Sequence, residues 1–346
     1  MSAQQEVAPR LQDVAEYAGV SLATASRVLS GSQDRVSATL RDRVLDAAAE
    51  LHYVPNAHAQ ALVSASTSTV GVIVHDVSDP YFSEIARGVL RIANDNDLLV
   101  LICNTYRDPA RELQYVLALR AQRVRAVVLA GSGFADSDVE RRTTQALVGV
   151  EAVGGRAVLI GRHRAGVDSV LPDNIGGARL MGKHLIDLGH RNIAVIAGPL
   201  HLTTIEDRLT GFRQALQEAG IDLPESQIVE TDFTRDGGYG GTARLLESAP
   251  ETTAIFALND AMAIGVLAAL RDHGAAVPDD IAVVGFDDIP IARDLTPALT
   301  TVRLPMDVMG ARAMQLALRR RAKEPRRVQM DATLIARDSA ASPRRD

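Results

Sequence analysis

What most limits the fold of this chain is a rhythm that begins at Val70: short, unbroken apolar runs, each followed by a longer stretch with helical spacing. VGVIV (70–74) precedes a helix expected over 81–94, LLVLIC (98–103) one over 109–119, and AVVLA (126–130) one over 138–148; AVLI (157–160) ends the first series. A second series follows, with helices expected over 175–188, 206–219, 237–247 and 261–272 and apolar runs IAVI (193–196), QIVE (227–230), AIFAL (254–258) and IAVVGF (281–286). Runs that are continuous rather than alternating, and rich in Val and Ile, are those of strands buried on both faces. Parallel strands need a crossover between them, and the intervening helices supply it. Two doubly wound α/β lobes with a cleft between them are therefore predicted. LTTVRLP (299–305), a helix over 306–320 and VQM (328–330) would return to finish both lobes, while the charged run RRRAKEPRR (319–327) reads as a solvated helix end and loop. The expected boundaries are 70–168 plus 299–322 for the first lobe and 169–298 plus 323–335 for the second, with a tail over 336–346. With no Trp and only 3% aromatic residues, the core must be built from Ala, Val, Leu and Ile. The single cysteine, Cys103 in LLVLICN, is expected as a buried strand residue, and it excludes an intrachain disulfide.

Ahead of this rhythm lies a segment of different character. LQDVAEYAGVSLATASRVLSG (11–31) places Leu11, Val14, Ala15 and Ala18 on one helical face and Thr24, Ala25 and Val28 on a second, with Gly19 for the turn and Ser21 as cap. Two short helices joined so tightly must cross, which is helix-turn-helix geometry. A third helix over 37–51 carries Leu40, Val44, Ala47 and Leu51 on one stripe, with Ser37 as its cap. PNAHAQALV (55–63) is long enough for one or two turns that a partner would have to order. The expected divisions are a headpiece over 1–54 and a hinge helix with linker over 55–69.

The strings DVAEYAGVS, ASRVLSG and VPNAHAQAL, in this order and spacing, resemble those of the lactose-repressor (LacI/GalR) family of bacterial transcriptional regulators, and the likeness extends over nearly the whole chain. The resemblance implies a dimeric repressor with two lobes like those of periplasmic sugar-binding proteins, joined by three crossings, and because MSAQQEVAPR does not resemble a secretory signal and no apolar run is long enough to span a bilayer, the cytoplasm is the expected location. It implies that Leu22, Ala23 and Arg27 face base edges in the major groove, with Ser21, Thr24, Ser26 and Ser37 nearer the phosphates. Asn56 and Ala59 would lie on the hinge helix (56–63), and Leu62 would wedge into the minor groove of an approximately palindromic operator; an apolar wedge can open a base step, and an arginine can donate twice to guanine. Gln60 and Val63 stand where many relatives carry basic residues. Residues 1–63 hold five basic against seven acidic side chains, so only an asymmetric arrangement with Arg27, Arg35 and Arg41 toward the DNA would serve. ARDSAASPRRD (336–346) has no apolar heptads, so a dimer is expected rather than a tetramer.

Ligands of open α/β sheets sit beyond the carboxyl ends of the strands. The residues there are His75, Asp76, Asn104, Gly161, Arg162, Gly198, Pro199, Asn259, Asp260, Asp287 and Asp288, many of them able to grip hydroxyls. A carboxylate and an arginine facing each other across the cleft could each hold two oxygens of a polyol. The resemblance assigns effector binding to Arg208, Asn259 and Asp287, places Tyr81 and Phe82 at the cleft mouth, and puts Met306 where several relatives have an aromatic. Gly161–Arg162 replaces an acidic residue found in many sugar-responsive members, which leaves both a sugar and a sugar phosphate open as effector. Asn259 could instead cap a helix and Asp287 a turn. An enzyme is the competing class, because doubly wound sheets host many activities. However, HDVSDPYF follows the first strand where a dinucleotide fingerprint would stand, and no phosphate loop, His-Glu-x-x-His pair or Gly-x-Ser-x-Gly elbow occurs. No catalytic residue, cofactor, metal or membrane partner is expected. A sugar-binding sensor without specific DNA binding is the other alternative.

Overall fold

The structure, a computed structural model, describes residues 9–29, 36–54, 67–134 and 138–344. It divides into two compact units, one ending at Thr67 and one beginning at Ser68. The expected hinge helix, with Asn56, Ala59 and Leu62, lies outside the described residues, as does Arg35.

The first unit contains α1 (Leu11–Tyr17), α2 (Leu22–Leu29) and α3 (Ala38–Glu50). Val14, Ala15, Ala18, Ala25, Val28, Val44, Ala47 and Ala48 form one buried cluster, so each helix contributes to a core that none could make alone. Gly19 takes φ +61° at the turn, a conformation glycine enters without steric cost. The Ser21 hydroxyl accepts the Thr24 amide at 3.2 Å, as its capping position requires. Ser37 occupies the N-cap of α3, but its side chain makes no cap bond. Arg43 of α3 donates to the Ala18 carbonyl and so satisfies the end of α1.

In the second unit, the first lobe is a parallel sheet ordered β11-β5-β4-β3-β1-β2. Its strands are β1 (Thr69–Val74), β2 (Leu99–Asn104), β3 (Ala126–Ala130), β4 (Arg156–Ile160), β5 (Asp168–Pro172) and β11 (Arg327–Met330). The helices α4 (Pro80–Asn94), α5 (Pro109–Ala121), α6 (Asp138–Ala152) and α11 (Met306–Leu318) cover it. α4 and α5 start alike: Asp79 and Asp108 accept first-turn amides, each followed by a proline at the first helical position. α4 and α11 approach through glycine, since a Cβ on Gly88 would lie 1.9 Å from the Asp307 carbonyl oxygen and one on Gly310 would lie 2.0 Å from that of Ile85.

The second lobe is a parallel sheet ordered β7-β6-β8-β9, with the antiparallel pair β10-β12 beside it. It comprises β6 (Ile193–Ala197), β7 (Ile228–Glu230), β8 (Ala254–Ala257), β9 (Ala282–Val284), β10 (Thr301–Arg303) and β12 (Thr333–Ile335). Its helices are α7 (Asn174–Asp187), α8 (Thr203–Glu218), α9 (Arg235–Ser248) and α10 (Asp260–Asp272).

Four sequence expectations need correction. β5 and β11 belong to the first sheet and β10 to the second lobe, so the lobe boundaries at 168/169, 298/299 and 322/323 are displaced. β5 begins with buried Asp168 and Ser169, which an apolar-run reading passes over; Asp168 pairs with Arg156 at 2.7 Å and Arg326 at 3.0 Å. For the same reason the run 319–327 is not simply solvated: Arg321 reaches Glu151 at 3.0 Å, and Arg326 anchors β5. The segment 336–344 is no free tail, because Ser339 is fully buried and exchanges backbone bonds with Val283 and Ala298. Finally, β2 is an edge strand. Leu99, Leu101 and Ile102 are exposed and Cys103 is half-buried, because among the described residues no strand pairs with the outer edge of β2.

Candidate functional site

The cleft between the lobes is lined where the sequence places it, beyond the carboxyl ends of the strands. Its floor is an ion pair. Arg208 of α8 is 2% exposed; it donates from Nη2 to Asp287 Oδ1 at 2.7 Å, from Nε to Asn174 Oδ1 at 3.0 Å, and from Nη1 to the Leu258 carbonyl. The guanidinium stacks over Phe286, 3.8 Å from the ring centroid. Asp287, just past β9, sits at φ +114°, backbone strain of the kind that gathers at ligand sites. Burial pushes its carboxyl up to about 7 despite the attraction of Arg208, and nearby Asp79 adds to the rise. Asp260, fully buried, accepts from the Thr301 hydroxyl at 2.6 Å and the Ile289 amide at 2.9 Å, which fixes the turn carrying Asp287.

Asn259 caps α10, its Oδ1 accepting the Met262 amide at 2.7 Å, and the residue also lines the cavity. Tyr81 and Phe82 also line it, packed edge to face at 5.0 Å. Among the described residues no arginine of the strand ends faces a carboxylate across this cavity, and the arginine that meets Asp287 is Arg208 of α8. Both belong to the second lobe, and together they present one polar surface to the first.

Two anticipated residues are placed elsewhere. Met306 is packed in the core at the start of α11 and does not line the cavity. Arg162 turns away into a neighbouring groove with Asp173 and Arg327. There it bridges the lobes, reaching Glu206 at 2.6 Å and Asp207 at 2.8 Å on α8.

Around that bridge runs a seam of cross-lobe bonds: the Ser132 hydroxyl to Thr204 at 2.7 Å, the Gly133 amide to Thr203 Oγ1 at 3.0 Å, and the Thr203 amide back to the Gly133 carbonyl at 3.0 Å. The loop making these contacts is held from below by His163, whose ring bonds the Gly131 carbonyl and Glu140, both at 3.1 Å. Burial alone would lower the His163 value, but the Glu140 carboxylate outweighs it and holds the imidazole above its ordinary range. The cavity is small, with about 20 Å³ able to take the centre of a water molecule, room for little more than ordered water.

Sequence reasoning missed Asp79, Arg107, Ser132, Thr204 and Phe233, all of which line the cavity. Asp79, Arg107 and Thr204 stand several residues beyond the ends of β1, β2 and β6, and Ser132 and Phe233 follow β3 and β7, strands whose ends carry no signal in the sequence reading.

On the headpiece, Leu22 is 51% exposed, and Ser21, Ala23, Arg27 and Ser37 are exposed too, so the anticipated reading surface is available. Thr24 and Ser26 are half-buried, and Thr24 is tied to Ser21 through both hydroxyls at 2.8 Å. Arg27 Nε donates to the Ala23 carbonyl at 3.1 Å along its own helix.

A sequence profile described as bacterial regulatory proteins, lacI family, matches residues 10–56, and one described as periplasmic binding protein-like domain matches 183–340. The HTH-type transcriptional regulator DegA of Bacillus subtilis (strain 168) is 34% identical over 337 residues, covering 96% of this chain and 98% of that protein. The chain belongs to the lacI family. The HTH-type transcriptional regulator GalS of Salmonella typhimurium is 39% identical over 308 residues, 89% of this chain and 88% of its own length. Among solved structures, the lac repressor dimer bound to operator and an anti-inducer superposes with a TM-score of 0.80 at 29% identity, covering 97% of this chain and 100% of that one. The complex of the transcriptional regulator CelR with cellobiose gives 0.71 at 34% identity, covering 96% and 99%. As a lacI-family member, the chain is a DNA-binding transcriptional regulator with a two-lobe core of the periplasmic-binding type. Among the described residues no helix is long and apolar enough to cross a membrane, and no group of three or more His, Cys, Asp or Glu could hold a metal ion.

Proposed function

We propose that this regulator is a cytoplasmic, homodimeric repressor, not an enzyme, whose operator affinity is set by a sugar bound between the lobes. The observation that carries this reading is the Arg208–Asp287 pair with Asn259, buried in an inter-lobe cavity on the same chain as a helix-turn-helix headpiece. Buried charged and amide groups arranged this way hold hydroxyls. The solved complexes of CelR with cellobiose and of the lac repressor with operator support it.

Leu22, Ala23 and Arg27 read base edges from α2, with Ser21, Thr24, Ser26, Arg35 and Ser37 along the phosphates. Asn56 and Ala59 belong to a hinge that docks Leu62 at the operator centre. The second copy covers the exposed Leu99, Leu101 and Ile102 of edge strand β2, apolar side chains that a monomer would leave in water. Two headpieces on one two-fold axis then read a roughly palindromic site. Sugar binding favours one disposition of the lobes and thereby changes how the two hinges meet at the DNA.

The test is selection of binding sites from a randomised duplex pool by the full chain, repeated in the presence of a panel of sugars. A palindrome whose occupancy one sugar changes supports the reading. Absence of any enriched site under all conditions overturns it.

A further inference from the structure

One side chain in the cleft has no role in the effector reading given so far. Arg107, just past β2, is largely buried and lines the cavity, yet its Nε has no hydrogen-bond partner. Its Nη2 stands 3.7 Å from Asp79 Oδ2, an ion pair beyond hydrogen-bonding reach. The other oxygen of that carboxylate is committed to the Tyr81 amide at 3.0 Å. Tyr106 and Arg107 sit at φ +53° and +59°, successive positive values that non-glycine residues keep only where their surroundings impose them. From the opposite lobe, Phe233 covers the guanidinium at 5.3 Å. A buried guanidinium nitrogen left without a hydrogen bond is unfavourable, but the strained loop and Phe233 hold this side chain at the cavity wall.

Charge decides what it can take. Arg107 faces Asp79 in the cavity, Asp76 and Asp232 add negative field at Arg107, and Arg208 is bonded to Asp287, Asn174 and the Leu258 carbonyl. An oxyanion placed against Arg107 would meet Asp79 as well, while the donors of Arg208 are already turned to Asp287, Asn174 and Leu258. A hydroxyl fits the gap in both senses, since its oxygen can accept from Arg107 while its proton goes to Asp79. We propose that Asp79 and Arg107 form a second hydroxyl-binding pair, contributed by the first lobe. The effector is then an uncharged polyol with hydroxyls at both ends, and sugar phosphates and sugar acids are excluded. This rests on the cleft being the effector site.

The test is calorimetric titration of the full chain, as wild type, Arg107→Gln and Asp79→Asn, with uncharged sugars, their phosphorylated and uronic-acid counterparts, and deoxy analogues. Gln keeps a donor without the charge, and Asn still caps α4; matching circular-dichroism melts establish that both variants fold. The wild type should bind an uncharged sugar at least about tenfold more tightly than its charged counterpart. Each variant should weaken the uncharged sugar by about tenfold, the scale of one charge-assisted hydrogen bond, and should leave unchanged the affinity of the deoxy analogue that lacks the bridging hydroxyl. A phosphorylated sugar that binds more tightly than its parent, and loses that advantage in Arg107→Gln, would make Arg107 an anion subsite and overturn the proposal. Unchanged affinity in both variants would make the pair structural, leaving the cleft reading intact. If the wild type bound no sugar at all, the effector reading itself would fail.

Discussion

Replacing Asp287 by asparagine should stabilise the larger unit at alkaline pH and do almost nothing at acid pH. The Asp287 carboxyl has an ordinary value of 3.8 and is pushed up to about 7 by burial, which Arg208 offsets only in part. The folded state therefore binds the proton more tightly than the unfolded chain does. The stability it contributes is fully present below 3.8 and is lost as pH rises through about 7. At about 1.4 kcal/mol per pH unit between the two values, the loss is on the order of 4 kcal/mol, with about 3 kcal/mol of it falling between pH 5 and 8. Asparagine does not titrate and resembles the protonated acid, so Asp287→Asn should gain this amount over the wild type as pH rises. A functional group that costs the fold stability is what a binding site is expected to contain. Urea unfolding of both proteins followed by circular dichroism, at intervals from pH 5 to 8.5, measures the difference directly. Parallel curves, or a variant less stable at every pH, would show that the Arg208 contact outweighs burial and would refute the reasoning.

Two further substitutions separate roles that the sequence alone confounds. Arg162→Ala removes a half-exposed bridge to Glu206 and Asp207; exposed pairs are worth about 0–1 kcal/mol each, so stability should fall by about 1 kcal/mol. Stopped-flow sugar association should become faster as the seam loosens, whereas an unchanged rate with lost affinity would return Arg162 to the effector site. Leu62→Ala should weaken specific operator binding by about tenfold or more, as the loss of a wedge does, with little change in non-specific binding. Equal losses in a fluorescence-anisotropy comparison of the two DNAs would defeat the wedge assignment.

The sequence is legible where one physical signal dominates. The headpiece core and the strands β1, β3, β6 and β8 announce themselves through apolar spacing, and the structure buries the strands and Val14, Ala15, Ala18, Ala25, Val28, Val44 and Ala47, leaving Leu11, Leu40 and Leu51 partly exposed. Arg208, Asn259 and Asp287 do converge on one cavity. What hid was whatever mixes signals. β5 is masked because its first residue is the centre of a buried ion network, Arg156–Asp168–Arg326. β2 reads as a core strand, although its apolar face is left exposed at a sheet edge. The direction of a long side chain is also beyond spacing: Arg162 follows β4 directly, yet two carboxylates on α8 draw it out of the cleft. Arg107 reaches the cavity only through a left-handed turn at Tyr106 that no residue type signals.

The central claim is that one free energy couples the cleft to the operator. Linkage requires that the factor by which a sugar changes operator affinity equal the factor by which operator changes sugar affinity. Titrating the selected operator with and without saturating sugar, and the sugar with and without saturating operator, measures both. Equal factors well away from one are the predicted result. A sugar that binds between the lobes with an affinity indifferent to operator would contradict the account.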